Sequence, residues 1–298
     1  MKKIAIIAAL SALSFAAAAQ VTVSGKVSEW VDNTKTGSIS ATGLTADSTS
    51  NITIRASENL GKGLTARVVV DTRILANDPT SAGTQIGDRQ STVGLASKVG
   101  SVDLGRNVHS QFLAVSNNDA FSTLYGSVAG DVHNLRGLRF SNGAFVAVTP
   151  MKNVAVTYDR SSNSAAVVES TSYSLSAKVG PVNATYARFE QGSAEVSDVI
   201  GANATFGPTT VFYSHSNNKS IVAGETKKGN LIGVAQKVGV ITAKASYGET
   251  DTKVTAYNVG LDYALSKRTD VGVAYRNVNP VGVTNDVKQL GIGLTHRF

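Results

Sequence analysis

Between Asn51 and Arg73 the chain changes character at every residue. Ile52, Ile54 and Ala56 alternate with Thr53, Arg55 and Ser57; beyond Glu58-Asn59-Leu60-Gly61-Lys62-Gly63, Leu64, Ala66, Val68 and Val70 face away from Thr65, Arg67, Asp71 and Arg73. Successive side chains of a strand point to opposite faces, so this period predicts two antiparallel strands, each with an apolar and a charge-tolerant face, joined by a tight turn. The split recurs at 241–247, where Ile241, Ala243, Ala245 and Tyr247 oppose Thr242, Lys244 and Ser246. It recurs again at 255–265, where Tyr257, Val259, Leu261, Tyr263 and Leu265 oppose Asn258, Gly260 and Asp262. A last run sets Leu290, Ile292, Leu294, His296 and Phe298 against Gln289, Gly291, Gly293, Thr295 and Arg297. In 139–149 and 209–216 the parity is ambiguous.

Tight reversals carrying Gly, Pro or small polar clusters fall at 58–63, 97–100, 149–152, 179–181, 206–208, 237–239 and 266–269. Longer connections lie at roughly 32–48, 76–88, 107–137, 160–171, 190–197, 216–228, 249–253 and 277–286. Seven short turns alternating with eight long loops require sixteen strands. At ~10 residues per strand these use about 160 residues and leave about eight per connection, a load that suits an outer-membrane barrel. The expected class is all-β: a 16-stranded antiparallel transmembrane β-barrel, apolar face outward and polar face lining the lumen. A soluble sandwich also alternates, but one of this size would bury far more Leu, Phe and Ile.

Composition narrows this picture. The chain has no cysteine, so disulfide frameworks and Cys-based metal or redox sites are excluded. Met1-Lys2-Lys3, an apolar run from Ile4 to Phe15 and Ala17-Ala18-Ala19 read as a signal peptide over 1–19, cleaved to leave the barrel domain at 20–298. The formal charge of +7 becomes +5 once Lys2 and Lys3 are set aside, which suits anion preference and equally suits loops that meet anionic lipopolysaccharide. The sequence shows no Gly-rich phosphate loop, metal-ligand spacing or basic stripe with interleaved aromatics, so no cofactor, metal or nucleic-acid partner is expected. His109, His133, His215 and His296 come without a G-x-S-x-G or H-E-x-x-H motif, so no enzyme is expected. Tyr247, Tyr257, Tyr263 and Phe298 fall on outward faces as girdle candidates, with Trp30 expected to join the outer girdle.

Four collinear spans carry a family resemblance: Ser57-Glu58-Asn59-Leu60-Gly61-Lys62-Gly63-Leu64, then 90–100 (QSTVGLASKVG), Val102-Asp103-Leu104-Gly105-Arg106-Asn107, and the ending Gly293-Leu294-Thr295-His296-Arg297-Phe298. In these the chain resembles the general trimeric porins of Gram-negative β-proteobacteria, the neisserial and Comamonas-type group. It departs from them in its shorter length and in a less acidic insertion after Asn107. The resemblance implies a sixteen-stranded barrel, a homotrimer, and a third, longest loop folded into the lumen as the constriction. The segment 107–137 fits that role, because Phe112, Leu113, Val115, Phe121, Leu124 and Tyr125 are too apolar a set for a solvated loop. The C-terminal strand ending in Phe298 would be the one presented to the outer-membrane assembly machinery.

Function would then reside in a ring of charges. Arg55 and Arg67 fall on the polar face by parity, Arg89 heads a strand, Arg106 opens the insertion, and Arg136 and Arg139 sit where the chain rejoins the wall. The resemblance maps the constriction arginines best onto Arg55, Arg89 and Arg139, with Arg106, Arg136 and Lys244 in support; Asp119 and Asp131 are the loop carboxylates expected to face them. A guanidinium keeps its charge at any relevant pH, so such a wall sets up a permanent transverse field. The expectation is passive diffusion of small hydrophilic solutes and ions through the outer membrane, with anions favoured. A channel dedicated to one anionic solute, which would show saturable flux, and a secreted β-protein or adhesin are the alternatives. Expected partners are two further copies of the chain, outer-membrane lipid and lipopolysaccharide.

Overall fold

The computed structural model describes residues 20–78, 85–133, 135, 137–161, 169–220, 225–280 and 286–298. The expected leader 1–19 and the candidate Arg136 lie outside the described residues. The chain runs through β1 (Gln20–Thr36), β2 (Ile39–Ala46), β3 (Asn51–Gly61), β4 (Leu64–Arg73), β5 (Gln90–Ala96) and β6 (Gly100–Val108). Two short helices follow, α1 (Ser110–Asn117) and α2 (Ala129–His133). Next come β7 (Arg139–Met151), β8 (Val154–Ser161), β9 (Ser170–Val179), β10 (Val182–Gln191), β11 (Glu195–Phe206) and β12 (Thr209–Ser220). The chain ends with β13 (Glu225–Val238), β14 (Ile241–Thr250), β15 (Thr255–Ala264), β16 (Thr269–Asn279) and β17 (Val287–Arg297).

β2 and β3 pair in succession with β1, from Thr36↔Ile39 to Glu29↔Ala46 and from Lys26↔Asn51 to Gln20↔Ser57, so they form one wall strand interrupted at 47–50. The wall therefore has sixteen antiparallel strands. β17 closes on β1 from Thr36↔Val287 to Lys26↔Arg297, and Gly25 and Phe298 exchange backbone hydrogen bonds of 3.0 Å in both directions. Closure leaves no edge strand, which is the condition for a sheet to stand in hydrocarbon. Tight turns occur where glycine supplies the left-handed backbone: Gly180, Gly207 and Gly239 have φ of 57°, 58° and 60°.

Outward side chains follow the alternation. Val31, Ile54, Val68, Val93, Ile200, Ile232, Leu261 and Ile292 are between 42% and 57% exposed on the outer face, an apolar band far too continuous for a surface that meets water. Three expectations are corrected. The stretch 32–48 is not a long loop: its Thr and Ile residues extend the β1–β2 ladder to a tight reversal at 37–38. Trp30 does not join the outer girdle, because it shares the inward face with Ser28 and Asp32; it is 7% exposed and stacks on Tyr125 at 4.0 Å. Several loops are shorter than the polar stretches suggested, since β12 and β13 run to Ser220 and from Glu225.

The ambiguity in 139–149 has a physical explanation. In β7 both Phe140 and Phe145 are buried although five residues apart, because Asn142 takes φ 51° and the facing β6 bulges at 105–107. Each irregularity breaks the two-residue period. In β12 the alternation is regular, with Ser214 and Ser216 inward and Val211 and Tyr213 outward.

The core sits in the lumen. α1 packs against β8–β11 and α2 against β12–β15, Asp131 reaches Arg276 on β16, and the Tyr125 hydroxyl donates to Asp32 on β1 at 2.9 Å. One segment can touch so much of a closed ring only from inside it. Val115, Val128 and Val132 are fully buried against inward Ala187, Val199, Leu231 and Ala256. Each such Val stabilises the seat by about 1.5–3 kcal/mol. Inward polar residues act as a rail for the loop backbone. Ser110 N donates to Asp159 at 2.6 Å, Gln111 N to Ser172 Oγ at 3.0 Å, Asn218 to His133 O at 2.9 Å and Asn258 to Gly126 O at 2.7 Å.

Candidate functional site

α1 determines what faces the passage. Its buried residues Ser110, Gln111, Ala114 and Val115 lie on one helical face against the wall. The remaining face, carrying Phe112, Leu113 and Ser116, borders a lumen cavity of about 640 Å³. The wall contributes Arg73, Arg89, Arg139 and Arg276 to its lining.

Beside the cavity Arg73, Arg89, Arg106 and Arg139 form a cluster. Arg139 Nε donates to the Arg89 carbonyl at 2.7 Å, and Arg89 Nε lies 3.2 Å from Asp71. Arg73 pairs with Asp88 at 3.4 Å, and Arg106 Nε donates to the Asp88 carbonyl at 2.7 Å. Among the described residues two carboxylates, Asp71 and Asp88, thus serve four guanidinium groups. Arg106 and Arg139 donate to neutral oxygens, so the cluster carries uncompensated positive charge.

The other candidates occupy separate places. Arg55 and Arg67 line a second cavity of about 410 Å³. There Arg67 forms a two-pronged pair with Asp103, its Nε at 2.8 Å, while Arg55 meets Ser24 Oγ at 3.2 Å. Arg55 sits opposite Val69 on β4, whereas Gln90 sits opposite Asp71, so Arg55 is about 10 Å below Arg89 along the wall. Lys244 is elsewhere again, 2.5 Å from Asp262 and 5.3 Å from the centre of the Phe121 ring.

The expected acidic face does not form. Asp119 is 1% exposed and is turned into the loop, accepting from Phe121 N at 3.2 Å, Thr123 N at 2.8 Å and Ser127 Oγ at 2.6 Å. A short carboxylate followed by free backbone donors satisfies those donors first. Asp131 does border the cavity, but Arg276 neutralises it at 2.9 Å. Burial pushes the Asp131 carboxyl above its usual range against the pull of Arg276 and Lys227. Arg73 and Arg276 were not among the sequence candidates. Alternation offered the signal for both, since Arg73 shares a face with Arg67 and Asp71, and Arg276 shares one with Ala274 beside outward Val273.

The histidines do structural work. His109 caps α1 by accepting from Phe112 N and stacks on Phe140 at 4.9 Å. His133 is fully enclosed, with Ser214 and Ser216 hydroxyls each 2.8 Å from its ring nitrogens. Burial, helped by the charges of His215 and Lys227, holds its pKa down from 6.5 to about 3. Above pH 6.5 seated and detached loops are both neutral; between 6.5 and about 3 only a detached loop binds the proton. The seat therefore weakens as pH falls through that window, by up to ~1.4 kcal/mol per pH unit. Hydrogen-exchange protection at 129–133 should drop between pH 7 and pH 5, and His133→Gln should remove that dependence; equal protection at both pH values in the unmodified protein would contradict this.

Comparison with known proteins adds three findings. A family model described as Gram-negative porin matches residues 5–282. No curated protein matches the sequence. Among solved structures, the anion-selective porin from Comamonas acidovorans is similar with a TM-score of 0.82 at 19% identity, over 94% of this chain and 100% of that one. The trimer form of in-vitro folded OmpT from Vibrio cholerae gives 0.73 at 13%, over 94% and 100%. Salmonella typhi OmpF in complex with daunomycin gives 0.74 at 13%, over 94% and 98%.

Proposed function

Since this chain belongs to the Gram-negative porin family, we propose that its outer-membrane channel passes small hydrophilic solutes and ions by passive diffusion and favours anions. The observation that carries the reading is the imbalance in the arginine cluster beside the cavity, where among the described residues Arg73, Arg89, Arg106 and Arg139 share two carboxylates, Asp71 and Asp88. In a water-filled passage, fixed charge of one sign concentrates counter-ions and excludes co-ions within about a Debye length, ~10 Å at 0.1 M salt. No covalent step or bound nucleotide is needed, because transport runs downhill.

The same reading has residues 1–19 direct export, the apolar band meet lipid and the other two copies of a homotrimer, and the outer rim meet lipopolysaccharide. The strand ending in Phe298 is the segment the assembly machinery engages. The trimer form of the Vibrio cholerae protein supports the oligomer. The decisive measurement is the zero-current potential of detergent-extracted protein in a planar bilayer under a KCl gradient. Stepwise conductance with a potential of anion sign, and chloride permeability several-fold above potassium, is the expected result. A cation-signed potential would keep the channel and overturn the arginine wall.

A further inference from the structure

Among the described residues, neither loop carboxylate faces the arginine cluster as a free charge. Asp119 faces into its own loop and Asp131 is paired with Arg276, so what the cavity offers beside Arg73, Arg89 and Arg139 is mainly carbon together with loop hydroxyls. Leu113 is 46% exposed and Leu138 39% exposed, and both border the 640 Å³ cavity, as does Phe112. Large apolar side chains are left bare here inside the lumen, away from the outward band that meets lipid.

The reason lies in α1. Its small and polar residues Ser110, Gln111 and Ala114 are spent on the wall, which turns Phe112 and Leu113 toward the arginines. Water against these carbon surfaces is held weakly, while each guanidinium still offers donors in a fixed fork. A solute that satisfies both sides needs one anionic group and an apolar body a few ångströms away. A wholly polar anion of equal size leaves the carbon side wetted and gains only from the arginines.

Resting on the anion-channel reading above, we infer that the constriction selects amphipathic monoanions: small carboxylates with an aromatic or branched hydrocarbon body, oriented with the carboxylate on Arg89 and Arg139 and the body on Phe112, Leu113 and Leu138. Such a solute dwells longer in the passage than chloride and competes with it, so entry of the organic anion reads out as block of the chloride current.

The experiment measures half-blocking concentrations of benzoate and nicotinate on the KCl current of the native protein in planar bilayers. The two anions match in size, shape and charge, and differ by a ring nitrogen that weakens apolar contact. Benzoate should block at roughly fivefold lower concentration, as expected for a modest difference in apolar area removed from water. Leu113→Asn combined with Leu138→Asn keeps the number and branching of side-chain heavy atoms and the net charge. It should raise the benzoate value toward that of nicotinate, closing most of the gap between the two anions. Leu138→Gln alone, at a position already solvated, makes the same prediction with a smaller shift if the double variant assembles poorly. Equal block by the two anions in a native channel that is still anion-selective would overturn this inference alone, as would a benzoate preference that survives the substitutions. Absence of anion bias in the KCl gradient would remove the reading beneath it as well.

Discussion

Replacing Arg89, Arg106 and Arg139 together with Ser is expected to turn the proposed anion bias of the channel into a cation bias. Among the described residues the cluster holds Arg73, Arg89, Arg106 and Arg139 against Asp71 and Asp88, a local balance of +2; the triple variant leaves Arg73 against the same two carboxylates, a balance of −1. A unit charge acts on an ion about 8 Å away with ~0.5 kcal/mol in water-like surroundings, and three such losses add in one direction. After screening at 0.1 M salt the chloride-to-potassium permeability ratio should fall by about tenfold or more, enough to invert the zero-current potential. The barrel should assemble normally, because its ladders are backbone hydrogen bonds. Arg160→Ser, which removes an outward arginine paired with Glu169, is the control and should leave the potential alone. If the triple variant keeps the native potential, the charge filter lies elsewhere in the lumen.

The second large effect concerns the loop. Val115 and Val132 are fully buried between loop and wall, and a side chain in place of Gly229 or Gly248 on the wall would run into Val132. Val115→Asp with Val132→Asp would bury two unpaired carboxylates, each costing several kcal/mol unless the loop lifts away. Lifting is the cheaper response, since the wall strands do not depend on the loop for their own pairing. The expected outcome is an assembled barrel with single-channel conductance raised roughly twofold and a weaker anion bias, because Leu113 and Phe112 no longer narrow the space before the arginines. Native conductance from such a variant would show that the loop is not what sets the passage width.

Much of the wall was legible. Each strand phased from its alternation, β3, β4, β14, β15 and β17, has the expected face outward, because one residue of slip would put every Ile, Val and Leu into water. Failures came where the period is broken or where a rule was applied without parity. Trp30 was expected outside on the general habit of girdle aromatics, yet it sits two residues from Ser28 and Asp32 and must share their face. Its place inside depends on Gly272 and Gly293, which leave room on the neighbouring wall for the indole. Those glycines were visible as letters on the polar face, but a recess has meaning only once the side chain that fills it is known.

The candidate site divides in the same way. Alternation along single strands determined that Arg55, Arg67 and Arg73 point inward, while the net charge left open whether the excess lies in the lumen or on the loops. Alternation is a local property and survives any arrangement of the strands. Which arginines share a space was a matter for the tertiary structure, because height along the wall follows from inter-strand register and places Arg55 about 10 Å below Arg89. The fate of Asp119 was likewise undetermined by its identity: a loop carboxylate can face a lumen or cap its own turn, and the donors at Phe121, Thr123 and Ser127 decided for the turn. The sequence by itself determined a closed wall with carbon outside and charge inside. Only the folded loop, held to that wall by side chains far apart in the chain, decided that Leu113 and Phe112 share a cavity with Arg73, Arg89 and Arg139 while Asp119 turns away from it.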